Sequence, residues 1–336
     1  MKESMATVAD LGEFAVIRDF FAPLHETNAP GMVVGIGDDA AVLAVPRTQQ
    51  LLATVDALVE GVHFSGTDDP FRIGQKALRV NLSDIAAMGG LPTWYLLSLG
   101  LPAATSTAWL AEFVRGLQVT GAEFGVRIAG GNITASSAGC SIHVTMFGQV
   151  GQGRALTRSG AQVGDRILVT GTIGDAALGL AVRQGRLQAV DEADRLYLEG
   201  RLDLPEARIA MGLAVSDAAV VHAAMDISDG LVADLGHLCQ AGGVGAQVDV
   251  EKLPLSAAAR RMVERDPELW PLLLTGGEDY ELLVTATEGA LEILETLARQ
   301  TGVPWTEIGV ITSAAEIEIR QQGQPMSLPQ KGWRHF

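Results

Sequence analysis

The chain alternates short apolar runs with longer stretches in which apolar residues recur at helical spacing. Val8 to Phe21 has the amphipathic pattern of a helix. Three strand-like runs follow, near 33–36, 41–45 and 51–55, the last ending in Asp56. The clearest helix is Ile73 to Met88. Its Leu78, Leu82 and Ile85 fall at i, i+4 and i+7 and form an apolar stripe, while Asn81 and Asp84, three apart, share another face. Gly89, Gly90 and Pro92 stop it. Tyr95 to Leu99 reads as a strand, and Thr107 to Phe124 as a helix capped by Thr107. Val126 to Ala129 reads as a short strand ending in Gly130-Gly131-Asn132, and Ser141 to Val150 as another strand.

Glycines between Gly148 and Gly153 mark a boundary that divides residues 1–150 from 151–336. Beyond it the pattern restarts. Strands are predicted at 166–170, 246–250, 280–286, 305–311 and 316–320. Helices are predicted at 175–184, at 205–216 with Pro205 near its start, at 229–240 with Ser228 as cap, and at 287–300. Both halves alternate strands and helices, which predicts two α/β or α+β domains. At 336 residues the chain is long enough for both to hold a core.

Composition narrows the partners. The net charge is −16 and there are only four lysines, which weighs against nucleic acid, because a phosphate backbone needs a basic face. An anionic substrate is compatible only if cations neutralise its site. The two cysteines, Cys140 and Cys239, have no C-x-x-C partner and predict neither a disulfide framework nor zinc. Asp10, Glu13, Arg18 and Asp19 interrupt the apolar pattern near the N-terminus, unlike a secretory signal. No apolar run reaches membrane-span length. A soluble, cytoplasmic protein is expected.

The acidic residues carry the chemistry. Val33 to Val45 places Asp38 and Asp39 on a glycine turn between two apolar runs. Gly35-Ile-Gly37-Asp38-Asp39-Ala40 matches a dinucleotide fingerprint in letters, but two carboxylates would face the pyrophosphate and the residues after them read as a strand. Adjacent carboxylates suit a hard cation, although a solvated Asp-Asp turn has the same letters. Carboxylates recur beside strand-like runs at Asp56, in Met225-Asp226-Ile227-Ser228-Asp229-Gly230 and in Gly276-Gly277-Glu278-Asp279-Tyr280. Walker A, protein-kinase, HExxH and G-x-S-x-G signatures are absent. The remaining pattern points to metal-dependent phosphoryl transfer without a standard phosphate loop.

Six stretches in order, GIGDDAA (35–41), TVDALVEGVHF (54–64), KALRVNLSDIAAMGG (76–90), GRALTRSGAQVGDRILVTG (153–171), DISDGL (226–231) and GGEDYEL (276–282), resemble the thiamine-monophosphate kinases. These belong to the superfamily that includes aminoimidazole ribonucleotide synthetase and selenophosphate synthetase. The resemblance implies a two-domain fold of the aminoimidazole-ribonucleotide-synthetase type. Its N-terminal domain, 1–150, would bind ATP and magnesium and pair into a barrel-like sheet across a homodimer. Its C-terminal domain, 151–336, would complete the nucleotide and substrate site.

The resemblance also assigns roles. Asp39, Thr54, Asp56, Asp84 and Asp226 fall on magnesium ligands, with Asp38 close enough to share the task and Asp229 a further ligand. Asp56, Asp84 and Asp226 would be catalytic through the ions they hold. Ser228 matches an ATP contact, and Arg158 and Gly131 match positions that meet the ATP phosphates. His63, Glu278 and Trp333 match the thiamine-monophosphate side. Taken singly, Asp84 reads as a solvated helix face, Ser228-Asp229 as a helix cap, His63 as structural and Trp333 as core cover. Two positions depart from the pattern. Asn132 stands where the family has Asp, so a carbonyl replaces a charge in a nucleotide-associated metal site, and Val55 replaces a frequent hydroxyl.

The implied reaction converts thiamine monophosphate to thiamine diphosphate with ATP. A phosphate monoester has its second pKa near ~6 and needs no general base. The obstacle is repulsion: at about 4 Å two unit charges cost roughly 4 kcal/mol at an effective dielectric of 20. Direct in-line transfer without a phosphoenzyme is therefore expected. A ligase-type relative, or a nucleotide-binding module without catalysis, is the alternative; selenophosphate synthetase is disfavoured by the lack of a cysteine near the N-terminus.

Overall fold

The computed structural model describes residues 6–24, 30–329 and 332. Its chain divides into two units, Met1–Ile85 with Leu91–Gly153, and Ala86–Gly90 with Arg154–Phe336.

In the first unit, α1 (Val8–Leu11) and α2 (Glu13–Val16) replace the single helix expected over 8–21, and a π turn at Ile17–Phe21 follows. The break is Gly12, whose φ of 76° takes it out of the helical region. Then come β1 (Met32–Val34), β2 (Val42–Leu43), β3 (Gln49–Val59), α3 (Pro70–Ala87), β4 (Leu91–Leu101), α4 (Thr107–Phe124), β5 (Arg127–Ala135) and β6 (Ser141–Gly151). The strand order is β3-β6-β4-β5, with β4 and β5 parallel and the other pairs antiparallel. The Leu78, Leu82 and Ile85 stripe of α3 is at most 1% exposed, as the periodicity requires. Ile85 packs on β6, where a Cβ at Gly148 would come within 2.9 Å of it.

Helices α3 and α4 cross at glycines. A Cβ on Gly74 would lie 2.1 Å from the Phe113 carbonyl oxygen, and one on Gly116 would lie 2.1 Å from that of Phe71. The cap of α4 is Ser106, not Thr107: its hydroxyl accepts the Trp109 N–H at 3.1 Å. Strand β5 does not stop at Gly130-Gly131-Asn132 but runs through it to Ala135. Gly131 permits this, since a Cβ there would fall 2.0 Å from the Leu97 carbonyl oxygen on the neighbouring strand.

The second unit contains β7 (Arg166–Thr170), α5 (Asp175–Arg183), α6 (Glu192–Asp203), α7 (Ile209–Ala218), β8 (Ala223–Asp226), α8 (Leu231–Gly242), β9 (Gly245–Asp249), α9 (Ala257–Arg265), α10 (Trp270–Thr275), β10 (Leu282–Ala286), α11 (Leu291–Thr301), β11 (Trp305–Thr312), β12 (Ile317–Gln321) and β13 (Gln324–Pro325). Seven strands order as β13-β12-β9-β11-β7-β10-β8, and only β12 and β9 run parallel. Leu231, Leu235 and Leu238 of α8 join Ile167, Val169, Met225, Val248 and Leu283 in one core. A second core gathers Leu178, Leu198, Met262 and Leu273 from α5, α6, α9 and α10.

The helix expected at 205–216 begins at Ile209, so Pro205 lies before it. The helix expected from Asp229 begins at Leu231, and Ser228 is not its cap: Gly230 holds that position and offers no side chain. Among the described residues no helix is long and apolar enough to cross a membrane.

Candidate active site

In the first unit, successive residues of β3 alternate faces. Leu58 is buried on one of them, and Val55, 62% exposed, lies on the other. Thr54 and Asp56 share the face of Leu58 and meet α3. The Thr54 hydroxyl donates to Asp84 Oδ2 at 2.6 Å. The Asp56 N–H donates to Asn81 Oδ1 at 3.1 Å, and the fully buried Asn81 in turn donates its amide to the Ala77 carbonyl at 3.1 Å. Thr54, Asp56 and Asp84 therefore gather where β3 crosses α3. Val55 points away from them, so its missing hydroxyl takes nothing from this cluster.

Asp38 and Asp39 sit exposed on the turn between β1 and β2. Gly37, with φ of 117°, makes that turn possible, and Asp38 Oδ1 accepts the Asp39 N–H at 2.9 Å. One oxygen of Asp38 thus shapes the turn. Asn132 is exposed on β5 opposite Ser98. Gly131 beside it has a reason to be glycine in the close approach to Leu97, independent of any phosphate. His63 lies in the turn after β3, where its Nδ1 accepts the Val59 N–H at 3.1 Å. In the neutral ring the proton is then on Nε2.

In the second unit, the buried Asp226 ends β8, and Ile227-Ser228-Asp229-Gly230 turns into α8. This turn is gripped on both sides. Asp234 Oδ2 accepts the N–H groups of Ser228, Asp229 and Gly230 at 3.0, 3.0 and 3.1 Å. Opposite, Glu278 N–H donates to the Ser228 carbonyl and Tyr280 N–H to the Ile227 carbonyl, both at 2.8 Å, while Ile227 N–H donates to the Glu281 carbonyl at 2.9 Å. Both motifs need glycine here: a Cβ on Gly277 would lie 2.3 Å from the Ser228 carbonyl oxygen, and one on Gly230 would lie 2.8 Å from the Thr275 carbonyl carbon. Glu278 (φ 75°) and Tyr280 (φ 51°) occupy the left-handed region, a costly backbone that persists only where its surroundings enforce it.

Burial pushes the Asp234 carboxyl up to about 7, with the Asp229 charge adding to the rise and the three N–H bonds opposing it. Burial holds the Asp279 carboxyl well above its usual range, against the Gly174 N–H that donates to its Oδ2 at 2.8 Å. Glu281, fully buried, is the centre of an ionic cluster with Arg208, Arg201 and Thr170. Arg158 is exposed on a loop whose preceding residue, Thr157, accepts the Ala224 N–H of β8 at 2.9 Å. Gly332 lies against α8, where a Cβ would come within 2.3 Å of the Ala233 Cβ. Trp333 lies outside the described residues.

The N–H groups of Ser228, Asp229 and Gly230, just ahead of α8, are taken up by Asp234 and so are not offered to an anion. What the two units offer is oxygen: carboxylates and the hydroxyls of Thr54 and Ser228. Among the described residues no three His, Cys, Asp or Glu side chains form a ready metal cage. Magnesium requires none, since it binds through one or two carboxylates and keeps waters and substrate phosphates for the rest. The donor set fits that ion. Asn81, Asp234 and the Glu281 cluster were not legible as site residues. For Asp234 the available signal was an acid in the first turn of a helix whose start carries a glycine instead of a capping side chain.

A first unit with its sheet and two long helices, followed by a second with a seven-stranded sheet, is the architecture of a two-domain class of proteins, and both halves of the chain match it. Residues 37–150 match the AIR synthase related protein N-terminal domain, and residues 162–321 the corresponding C-terminal domain. The thiamine-monophosphate kinase of Salmonella typhimurium is 42% identical over 326 residues, 97% of this chain and 98% of that protein. The crystal structure of thiamine-monophosphate kinase from Stenotrophomonas maltophilia K279a superposes with a TM-score of 0.82 at 41% identity, covering 94% of this chain and 98% of that one. AaThiL complexed with AMPPCP and TMP superposes with a TM-score of 0.74 at 34% identity, covering 97% and 98%. The chain belongs to the thiamine-monophosphate kinase family, within the AIR synthase related proteins.

Proposed function

We propose that this protein transfers the γ-phosphoryl group of ATP to thiamine monophosphate, giving thiamine diphosphate, by direct in-line attack of the acceptor phosphate. The observation that carries the reading is the meeting of Thr54, Asp56 and Asp84 across β3 and α3, in a chain similar along nearly its whole length to kinases of that substrate. The first unit would hold magnesium through Asp39, Thr54, Asp56 and Asp84, with Asp38 bracing the turn and Asn132 lending a neutral carbonyl. In the second, Asp226 and Asp229 would hold metal, while Ser228 and Arg158 would meet the nucleotide. His63, Glu278 and Trp333 would serve the thiamine end.

When bound, magnesium supplies charge neutralisation and a template for phosphate oxygens. The chain's own residues do the rest. The carboxylates would offer that ion oxygen donors, and the 2.6 Å hydrogen bond from the Thr54 hydroxyl to Asp84 holds those two side chains against each other. Arg158 would add a fixed positive charge to the phosphates. The acceptor dianion needs no base, so no histidine is required for proton removal. The reading includes a cytoplasmic homodimer whose N-terminal sheets pair, and the last step of thiamine diphosphate biosynthesis.

The test is ADP release coupled to a reporter, with ATP and magnesium, comparing thiamine monophosphate, thiamine and no acceptor. ADP formed only with the monophosphate, matched by thiamine diphosphate, is expected. ATP binding without ADP formation would overturn the kinase reading in favour of a binding protein, and a phosphorylated aspartate or histidine during turnover would overturn direct transfer. Light scattering after size exclusion checks the dimer.

A further inference from the structure

The turn from β8 into α8 carries two half-exposed side chains, Ser228 and Asp229, between the buried Ile227 and Gly230. Three consecutive N–H groups can reach one oxygen only if the backbone curls around it. Asp234 Oδ2 is that oxygen, 3.0–3.1 Å from all three nitrogens, and its residue is 2% exposed. With their N–H groups turned inward to Asp234, Ser228 and Asp229 present their side chains elsewhere. Their carbonyl side is fixed independently, by the Glu278 and Tyr280 N–H groups.

An ordinary cap would not need this arrangement. A capping side chain at position 230 would accept from the N–H groups of Val232 or Ala233, inside the helix. Here that position must be glycine, with φ of 116° and the Thr275 backbone in the way of a Cβ. Asp234 instead reaches back from the first turn to the three N–H groups ahead of the helix, at the cost of burying a carboxylate beside Asp229. A carboxylate, unlike a hydroxyl, has the lone pairs and charge to hold three donors at once.

We propose that Asp234 is a positioning residue of the phosphoryl-transfer site: it sets the directions of Ser228 and Asp229 toward nucleotide and divalent metal without touching either. This rests on the proposed roles of those two residues. Outer-sphere partners that orient metal ligands change metal affinity by roughly 10–100-fold when removed. Asp234 would act in the same way through the backbone.

The experiment compares the full-length wild-type protein with Asp234→Ala, Asp234→Asn and, as reference, Asp229→Ala. Binding of Mn2+ is titrated by electron paramagnetic resonance with and without a non-hydrolysable ATP analogue, alongside steady-state KM and kcat and thermal melting without metal. Asp234→Ala is expected to weaken Mn2+ binding and raise the KM for ATP by roughly 10-fold or more. Asp234→Asn, whose neutral amide oxygen accepts the three N–H groups more weakly, should show a smaller loss of the same kind. It also carries the test if the alanine variant does not fold. Variants that melt earlier but keep wild-type Mn2+ binding and KM for ATP would reduce Asp234 to a helix cap and overturn the proposal. Unchanged Mn2+ binding in Asp229→Ala would instead overturn the metal reading of the turn itself.

Discussion

Replacing Arg208 by alanine should destabilise the C-terminal unit severely. Glu281 has no exposed surface, and its two oxygens accept four hydrogen bonds: from Arg208 Nε at 2.6 Å, Arg208 Nη2 at 2.5 Å, Arg201 Nη2 at 2.9 Å and the Thr170 hydroxyl at 2.7 Å. Burial alone would lower the Arg208 pKa, but the hydrogen bonds and charge of Glu281, aided by Glu206, raise it instead. The guanidinium is therefore held in its charged form. Removing one partner of a buried pair costs about 3–5 kcal/mol, because a charge is left uncompensated. Arg201 and Thr170 stay in place, so the lower end, ~3 kcal/mol, applies. For a unit of about 150–250 residues this lowers the melting temperature by roughly 6–12 °C. Urea denaturation followed by circular dichroism measures the loss directly. A double-mutant cycle with Glu281→Ala should show strong non-additivity, since the second change removes the charge the first one orphans. A loss under ~0.5 kcal/mol for Arg208→Ala, or additivity in the cycle, would show that Arg201 alone balances Glu281 and would refute the reasoning.

Three further outcomes are expected. Asp84→Ala should lower kcat by orders of magnitude with an unchanged circular dichroism spectrum, whereas Thr54→Ser, which keeps the hydroxyl, should stay near wild type; steady-state assays at saturating magnesium decide this. Asp279 has a folded pKa above its unfolded value, so its favourable contribution is present at low pH and is lost as pH rises through the folded value. Asp279→Asn imitates the protonated acid, and its stability relative to wild type should rise from pH 5 to pH 8; a pH-independent difference in urea midpoint would contradict the assignment. Gly116→Ala should cost about 1–3 kcal/mol, because its Cβ would meet the Phe71 carbonyl at 2.1 Å and backbone must move, and thermal melting checks it.

What could be read from the sequence was whatever has a period. The Leu78, Leu82 and Ile85 stripe identifies α3, and the apolar run 166–170 is β7 with its ends correct. Helix α6 was missed because its twelve residues are mostly charged or small, with Leu198 and Leu202 its only buried apolar side chains. Helix α10 is six residues long and gives no pattern. The apolar run near 51–55 predicts a strand that stops at Asp56, where the apolar pattern is interrupted. Strand β3 continues to Val59, with the Asp56 N–H taken up by Asn81. Individual acids were legible at the site, but their partners were not. Thr54 and Asp84 are 30 residues apart, and only the crossing of β3 and α3 makes them neighbours. The reach of Asp234 back to 228–230 depends on a carboxylate turning against the chain direction, which no spacing rule encodes.

The glycine crossing of α3 and α4 has a consequence for how the family can drift. Where helices are separated by side chains, each core substitution changes their spacing a little. Here backbone meets backbone at Gly74 and Gly116, so main-chain atoms set the separation. Asp84, ten residues along α3 from Gly74, is carried on a helix whose seat does not depend on which leucine or valine fills the surrounding core. Neutral substitutions can then accumulate in that core while the carboxylate keeps its place, and the two glycines bear the constraint that would otherwise be spread over many residues.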